Sequence, residues 1–174
     1  YITDVVLGII LVILRGKDGE SYNIANPNET LKVIQLNETA RSAREAAQSL
    51  NTEEGSIVKS LLFNIKYKNK DNPVMALIAG DKQGDEKTIQ LASGFEGKLA
   101  RPNAEYVKKH TGFSIGGVSP LTISKKIPIL IDQSLNRFNL LWASAGHTHW
   151  VFASSFKTLI RLTNGQVIKK LSKD

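Results

Sequence analysis

The sequence contains no cysteine among its 174 residues, which excludes disulfide bonds, thiolate catalysis and cysteine-based structural zinc sites. Only three histidines remain as strong transition-metal ligands. His147 and His149 would share one face of a strand, but no carboxylate motif accompanies them. We therefore expect no metal site. The lack of cysteine, together with the lack of a recognisable signal peptide, makes the cytoplasm the expected location.

Long hydrophobic runs are also scarce. The longest, residues 5–14, follows Asp4 and is too short to cross a bilayer, so no membrane partner is expected. A buried helix is the better interpretation, with Thr3 or Asp4 capping its start and Gly16 just past its end. Residues 16–30 mix Gly and Pro with Asn, Asp and Glu, and this composition predicts a connector.

Acidic residues are outnumbered, since 23 Lys and Arg stand against 16 Asp and Glu and give a formal charge of +7. This balance favours a polyanionic partner. The basic residues are scattered singly and in pairs, for example Lys108-Lys109, Lys125-Lys126 and Lys169-Lys170. A solvated surface explains any single pair better than a binding site does. With 41% hydrophobic residues, the chain can bury one core but is short for two full domains.

Strand and helix patterns are mixed along the chain after residue 30. Alternation or short apolar runs predict strands at 31–36, 57–67, 74–80, 127–131, 139–145 and 151–153. Helical spacing predicts helices at 40–50, capped by Thr39, at 103–110 and at 154–163. Residues 81–87 are predicted to be a hydrated turn. Because strict βαβ repetition is missing, the pattern predicts the α+β class with a mixed sheet.

Lys59 interrupts an apolar row of the predicted strand at 57–67. Side chains of the same parity include Ile57, Leu61 and Phe63, so the lysine stands near a core face. A buried ammonium is costly unless an anion compensates it. A lysine in the first turn of a strand can instead extend its amine to water. The residues alone favour neither interpretation.

Residues 111–120 are the least ordinary stretch, because they hold three glycines and a proline. Within 116–120, missing side chains would let backbone amides approach the oxygen atoms of a ligand, although a tight turn explains the glycines more simply. Further along, Ser144 and His147 lack the Gly-x-Ser-x-Gly elbow, and their spacing does not suit a serine-hydrolase relay. We reject that mechanism and keep His147 as a candidate substrate contact beside the simpler structural role.

Several segments share their order and content with one known family. They are residues 38–47 (ETARSAREAA), 57–61 (IVKSL), 112–113 (GF) with 116–120 (GGVSP), 129–132 (ILID) and 144–147 (SAGH). From about residue 31 to residue 170, the chain thereby resembles the YbaK/ProX family of free-standing aminoacyl-tRNA editing domains. Residues 31–174 are accordingly predicted to form one editing domain, with residues 1–30 outside it.

This resemblance implies a mixed sheet, partly barrel-like and flanked by helices, in an enzyme that hydrolyses the ester of mischarged tRNA. The domain would act either free or attached to an aminoacyl-tRNA synthetase. Lys59 would be the catalytic residue, holding the terminal adenosine or its phosphate, and the loop at 116–120 would line the aminoacyl pocket. A water would attack the ester with no metal or organic cofactor. The implied substrate-binding residues are Thr39, Gly112, Phe113, Ile115, Gly116, Gly117, Val118, Ser119, Pro120, Asp132, Ser144, Gly146 and His147.

Two alternatives stay open, as do the amino acid removed and the oligomeric state. The first is a non-catalytic module of the same fold that binds tRNA or a nucleotide. The second follows from residues 1–28, which weakly resemble a fragment of nucleotide-sugar epimerases. Against it, the chain lacks the dinucleotide fingerprint and the catalytic Tyr-x-x-x-Lys pair that such an enzyme needs.

Overall fold

The computed structural model describes residues 21–23, 30–121 and 127–174. The predicted helix at 5–14 and most of the predicted connector lie outside these ranges. Three connector residues, 21–23, form a strand that pairs antiparallel with residues 30–32. For these three residues the prediction of a plain connector is therefore wrong.

The described residues form strands joined by short helices. The strands are β1 (Ser21–Asn23), β2 (Thr30–Gln35), β3 (Ile57–Tyr67), β4 (Lys70–Ala79), β5 (Gln83–Gly84), β6 (Lys98–Ala100), β7 (Ile129–Asp132), β8 (Leu141–His147), β9 (Trp150–Ser154), β10 (Gln166–Ile168) and β11 (Ser172–Lys173). The α-helices are α1 (Ala43–Leu50), α2 (Glu86–Ser93), α3 (Ala104–Thr111) and α4 (Phe156–Thr163). Two 3-10 helices, Glu54–Ser56 and Gln133–Arg137, complete the described elements.

Nine strands form one sheet in the order β1-β2-β9-β8-β3-β4-β7-β10, and β6 pairs with the far end of β3. The pairs β3–β8, β4–β7 and β7–β10 are parallel, and the other pairs of this sheet are antiparallel. β5 and β11 make a separate two-stranded sheet. The prediction of an α+β class with a mixed sheet is confirmed.

The core lies on both faces of this sheet. From Val74 to Ala79, β4 is completely buried, as expected for a central strand covered on both sides. In β3 the faces alternate, since Leu62 packs into the cluster that contains residues of α3 and α4, whereas Phe63 packs into the cluster that contains Ile89 of α2. The alternation predicted for residues 57–67 is confirmed, and the predicted bounds of β3 match the observed ones.

Helix α1 begins later than predicted. Its cap is Ser42, whose Oγ accepts a hydrogen bond from the Glu45 amide at 3.2 Å. Thr39 does not cap it, because the preceding segment runs extended along the β8–β9 turn, where the Ala40 amide donates to the Thr148 carbonyl at 3.0 Å. This contact holds Ala40 outside the helix, which begins only at Ala43. The prediction of a Thr39 cap is therefore wrong.

Helix α2 was not predicted, because residues 81–87 were interpreted as a hydrated turn. Asp85 caps this helix by accepting from the Thr88 amide at 2.7 Å, and Ile89 is its buried anchor. Strand β4 also begins before the predicted residue 74. Its polar start is held by Asn64, whose side-chain oxygen accepts from the Asn72 amide at 3.1 Å.

Candidate active site

The sheet opens along one edge of β3. On its other edge, β3 pairs with β4 without interruption from Val58 to Tyr67. On the open edge, β8 pairs with β3 only at Ile57 and Val58, and β6 pairs with it only at residues 64–66. Among the described strands, none pairs with β3 between these two contacts. Residues 59–63 therefore border a gap in the sheet.

Backbone groups of β3 face this gap. The Met75 amide of β4 donates to the Pro128 carbonyl at 2.9 Å, and so points away from β3. Met75 lies opposite Leu62, which makes this a non-hydrogen-bonded pair of the antiparallel ladder. Alternate residues behave alike, so Ser60 and Leu62 direct their N–H and C=O groups toward the open edge. A ligand in the gap meets an alternating row of main-chain donors and acceptors.

A cleft of about 800 Å³ occupies the gap, a size typical of small-molecule sites. Its walls come from the residues before and within α1, from β3, from the turn after β4, from the entry to α3 and the loop after it, and from β8 and the turn that follows β8. The lining residues used below are Arg41, Glu54, Lys59, Ser60, Leu62, Gly80, Arg101, Ile115, Gly116, Val118, Ser144 and His147.

The Lys59 ammonium is seated at one side of this cleft. It donates to the Gly80 carbonyl at 2.9 Å and also to the Lys82 carbonyl. Burial lowers the pKa of Lys59 from its ordinary value, while the charges of Glu54 and Asp81 act to raise it. Carbonyl oxygens thus compensate the half-buried ammonium, and two of its three N–H groups are engaged within the described residues. One remains for a ligand.

The loop of residues 115–120, called the glycine loop below, packs on the β8–β9 connection. A Cβ added at Gly117 would come within 3.1 Å of the His147 Cα, so only glycine lets the two backbones approach this closely. Gly116 has a positive φ of 89°. Ile115 projects at the mouth with 60% of its surface exposed, whereas Val118 is buried. The loop thereby offers one exposed and one buried apolar side chain to the cleft.

A sequence model of the aminoacyl-tRNA editing domain matches residues 37–162 of this chain. The match contains Lys59, the glycine loop and every wall of the cleft. The chain belongs to the aminoacyl-tRNA editing domain family. Over 133 residues it is 30% identical to EbsC of Enterococcus faecalis, a candidate Cys-tRNA(Pro)/Cys-tRNA(Cys) deacylase, in an alignment that covers 76% of this chain and 79% of that protein.

Other relatives of this editing domain include whole synthetases and a solved structure. The proline–tRNA ligase of Limosilactobacillus fermentum is 32% identical over 97 residues, which are 55% of this chain and only 17% of the ligase. The crystal structure of a candidate trans-editing enzyme for prolyl-tRNA synthetase superposes with a TM-score of 0.72 and 34% identity, covering 83% of this chain and 87% of the other. The fold and the family are thereby shown together.

Of the predicted site residues, the editing domain brings Lys59, Ile115, Gly116, Val118, Ser144 and His147 to one cleft. A β-bulge between Ser144 and His147 gives these two residues their place on the cleft wall. The Ser144 Oγ accepts from the Gly146 amide at 3.2 Å, and the His147 Nδ1 accepts from the His149 amide at 3.3 Å. The two side chains make no hydrogen bond to each other in the described structure, in keeping with the rejected serine-hydrolase relay.

The other eight predicted site residues do not line this cleft. Thr39 borders a separate depression of about 400 Å³ beside α1. Gly112 ends α3 with a φ of 81°, and Phe113 is 3% exposed in the core. Gly146, at a φ of 106°, packs so closely on Phe113 that an added Cβ would lie 2.6 Å from its ring. These four positions shape the fold around the cleft.

The remaining four are buried within the loop at 116–120 and at the end of β7. Ser119 is fully buried, and its Oγ accepts from the Leu121 amide at 3.2 Å. Pro120 is buried next to it. Asp132 is 1% exposed and caps the following 3-10 helix by accepting from the Ser134 amide at 2.8 Å. Gly117 is buried against the β8–β9 connection. A structural contact thus explains each of these residues.

Sequence reasoning missed three charged residues that line the cleft of this editing domain, namely Arg41, Arg101 and Glu54. Arg101 is 75% exposed and pairs with Glu86 at 2.9 Å. Arg41 lies in one of the segments that carry the family resemblance, but its exposed place on the rim follows from the extended course of residues 36–42. Arg101 stands in no local pattern, so only the tertiary structure reveals it.

The cleft of the editing domain is therefore cationic at its rim and contains one carboxylate, Glu54, within it. Among the described residues, no group of three or more His, Asp or Glu could hold a metal ion. None of the described helices is both long and apolar enough to cross a membrane. The chemistry offered by the described cleft is cationic side chains, main-chain N–H groups and apolar walls.

Proposed function

We propose that this protein hydrolyses the ester of mischarged aminoacyl-tRNA as a trans-editing enzyme. The observation that carries the proposal is that Lys59 and the glycine loop line a single cleft, which is bordered by a free edge of β3. The names of its relatives, a candidate deacylase and a candidate trans-editing enzyme, support the same reaction.

Three cationic side chains, those of Lys59, Arg41 and Arg101, bind different parts of the RNA end. Lys59, with one N–H left for a ligand, binds the terminal adenosine or its phosphate inside the cleft. Arg41 and Arg101, both exposed on the rim, contact the phosphates that precede it. Phosphate contacts position a nucleic acid without reading its sequence, so these three residues place the 3′ end and leave the choice of tRNA to other contacts.

Main-chain groups would hold the reacting ester. The N–H groups of Ser60 and Leu62 at the free edge, and those of the glycine loop, can hydrogen-bond the ester carbonyl and the charge that develops on it. A water, assisted by the substrate's own ribose hydroxyl, attacks the carbonyl carbon. The bond between that carbon and the ribose oxygen breaks, and the ribose oxygen takes a proton. Free amino acid and uncharged tRNA leave without any metal or organic cofactor.

Ile115 and Val118 are the side chains best placed to select the amino acid. Thr39 and Ser119, which the family resemblance also implied to be substrate-binding residues, lie outside the cleft. A single methylene changes discrimination by only about 1–3 kcal/mol. We therefore propose that the size of the space between these two apolar residues and β3 sets which small amino acid is removed.

A hydrolysis screen tests the proposal. The wild-type protein and two variants are incubated with tRNAs mischarged with alanine, cysteine, serine or threonine. The variants are Lys59→Ala and, as a control, Lys66→Ala, which lies at the exposed end of the same strand. We expect release of at least one amino acid, loss of that release in Lys59→Ala, and full activity in Lys66→Ala. Tight tRNA binding with no turnover of any species would show the alternative, a non-catalytic binding module.

A further inference from the structure

The turn that seats the Lys59 ammonium is itself held from outside the cleft. Asp81 lies between Gly80 and Lys82, the two residues whose carbonyls accept hydrogen bonds from Lys59. The Lys82 amide closes this turn by donating to the Ala79 carbonyl at 3.0 Å. Both carboxylate oxygens of Asp81 accept hydrogen bonds from Nη2 of Arg137. The carbonyl seat of Lys59 is thereby tied to the 3-10 helix that follows β7.

This ion pair has little freedom to move. It packs on the backbone of Gly55, where an added Cβ would lie 2.6 Å from the Arg137 Nη2 and 2.9 Å from the Asp81 Oδ2. The Arg137 guanidinium also lies over the Phe138 ring, 4.7 Å from its centroid. Each of the two side chains keeps 39% of its surface exposed, so the charge–charge attraction alone is modest. Packing around the pair fixes where its charges stand.

Asp81 can act on Lys59 in two opposing ways. Together with Glu54, its negative charge favours the ammonium form and opposes the effect of burial. If the Asp81 side chain turned toward the ammonium, its carboxylate would also accept the remaining N–H and would then compete with a phosphate for that donor. The hydrogen bonds from Arg137 to both oxygens hold the side chain on Arg137 instead, while the carboxylate still contributes its charge.

We propose that Arg137 is a positioning residue, which acts through Asp81 to keep the Lys59 ammonium seated on the Gly80 and Lys82 carbonyls and open to an anionic ligand. The inference rests on the proposed function of Lys59 as an anion-binding group. Loss of Asp81 or of Arg137 is therefore expected to change ligand binding at Lys59 as well as the stability of the fold.

Substitution of Asp81 and substitution of Arg137 are expected to shift the pKa of Lys59 in opposite directions. Asp81→Asn removes a favourable negative charge, so the pKa of Lys59 falls. Arg137→Met frees the carboxylate to pair with the ammonium, so the pKa rises and the affinity for adenosine 5′-monophosphate weakens roughly tenfold, as expected for the loss of a contact of about 1.4 kcal/mol. In the double variant the carboxylate is gone, and the pKa of Lys59 returns to that of Asp81→Asn.

NMR titration of the lysine ε-methylene signals, with Lys59 assigned through Lys59→Arg, measures these shifts. Calorimetry with adenosine 5′-monophosphate measures the affinity. Asp174→Asn is the matched control, because Asp174 pairs with Lys82 of the same turn and is 97% exposed, and we expect it to leave Lys59 unchanged. Circular dichroism checks the fold, and Arg137→Gln replaces Arg137→Met if the latter does not fold.

A Lys59 pKa in the double variant that lies well above that of Asp81→Asn, shifts of the same sign in the two single variants, or no shift in either would overturn the inference and leave an ion pair that acts only through its charge or the fold. The NMR measurement does not depend on hydrolysis. A wild-type protein that releases no amino acid from any mischarged tRNA would refute the proposed function, whereas the direction of the Lys59 shifts would still decide the role of Arg137.

Discussion

Replacing Lys59 by methionine separates the role of this residue in the cleft from its role in the fold. The ammonium makes two hydrogen bonds to carbonyls, each worth about 1.5–3 kcal/mol for a charged donor. Methionine forfeits these bonds, but it removes the cost of burying a charge and continues the apolar row of Ile57 and Leu61. Burying such a side chain gains about 1.5–3 kcal/mol when it is complete, and less at this half-buried position.

The opposing effects on stability largely cancel, so we expect the free energy of unfolding of Lys59→Met to stay within about 2 kcal/mol of the wild type. For a chain of this length, 1 kcal/mol moves Tm by roughly 2–4 °C, and the shift should therefore remain below about 8 °C. Binding of the RNA end has no such compensation. Losing a charge-assisted contact in a desolvated site costs about 2–5 kcal/mol, which lowers kcat/KM by roughly thirtyfold to several thousandfold.

Thermal unfolding by circular dichroism and single-turnover deacylation measure the two effects on the same preparation. Lys66→Met is the control, since Lys66 lies in the same strand but is exposed. Full activity in Lys59→Met would refute the proposed role of the ammonium. A collapse of Tm far beyond the expected range would show that the lysine chiefly holds the turn after β4, and the loss of activity would then carry no mechanistic meaning.

Three further predictions follow from the geometry. Gly146→Ala combines a strained positive φ with a clash in the core, and should cost about 2–6 kcal/mol in chemical denaturation, whereas Gly94→Ala, at a φ of 71° with open space around it, should cost only about 1–2 kcal/mol. Arg41→Gln and Arg101→Gln should each reduce the slope of log Kd against log salt for a single-stranded RNA by about 0.7; unchanged slopes would remove both residues from the RNA path. Asp85 has a lowered pKa, chiefly because it accepts from the Thr88 amide, so its stabilising effect is present above the ordinary pKa and is lost as the pH falls below that value toward the lowered pKa. Tm should therefore decline less with acidification in Asp85→Asn than in the wild type, and parallel declines would contradict this assignment.

Local patterns predicted the parts of this fold that local forces determine. The alternation in residues 57–67 placed Lys59 in the correct row, because the period of a strand is two residues whatever its neighbours are. Helices α3 and α4 were predicted from helical spacing, and in the structure an Asn or a Ser caps each of them. Asp85 is a cap of the same kind, but the polar residues around it favoured the prediction of a turn. The burial of Ile89 against the core stabilises this helix, and that contact is not visible in the local sequence.

The features that depended on distant contacts could not be predicted in this way. Thr39 and Ser42 are equally good caps by residue type, and the hydrogen bond from Ala40 to Thr148, 108 positions along the chain, decides between them. The family resemblance grouped Asp132, Phe113 and Gly146 with the site, yet the structure gives each of them a contact in the core or at a helix start. A sequence segment that a family shares can contain residues that line the cleft, or buried residues that hold the lining residues in place.

The free edge of β3 carries a last consequence. An exposed strand edge is normally a hazard, because its unpaired amides can template the addition of strands from other molecules and so start aggregation. Here residues 59–63 line a recess together with residues of α3, the glycine loop and the β8–β9 connection. Because β8 and β6 pair with β3 on either side of it, the open segment is only five residues long. A very short edge is one of the ways in which proteins avoid the addition of foreign strands, so the same edge can meet a ligand and still be a poor template for aggregation.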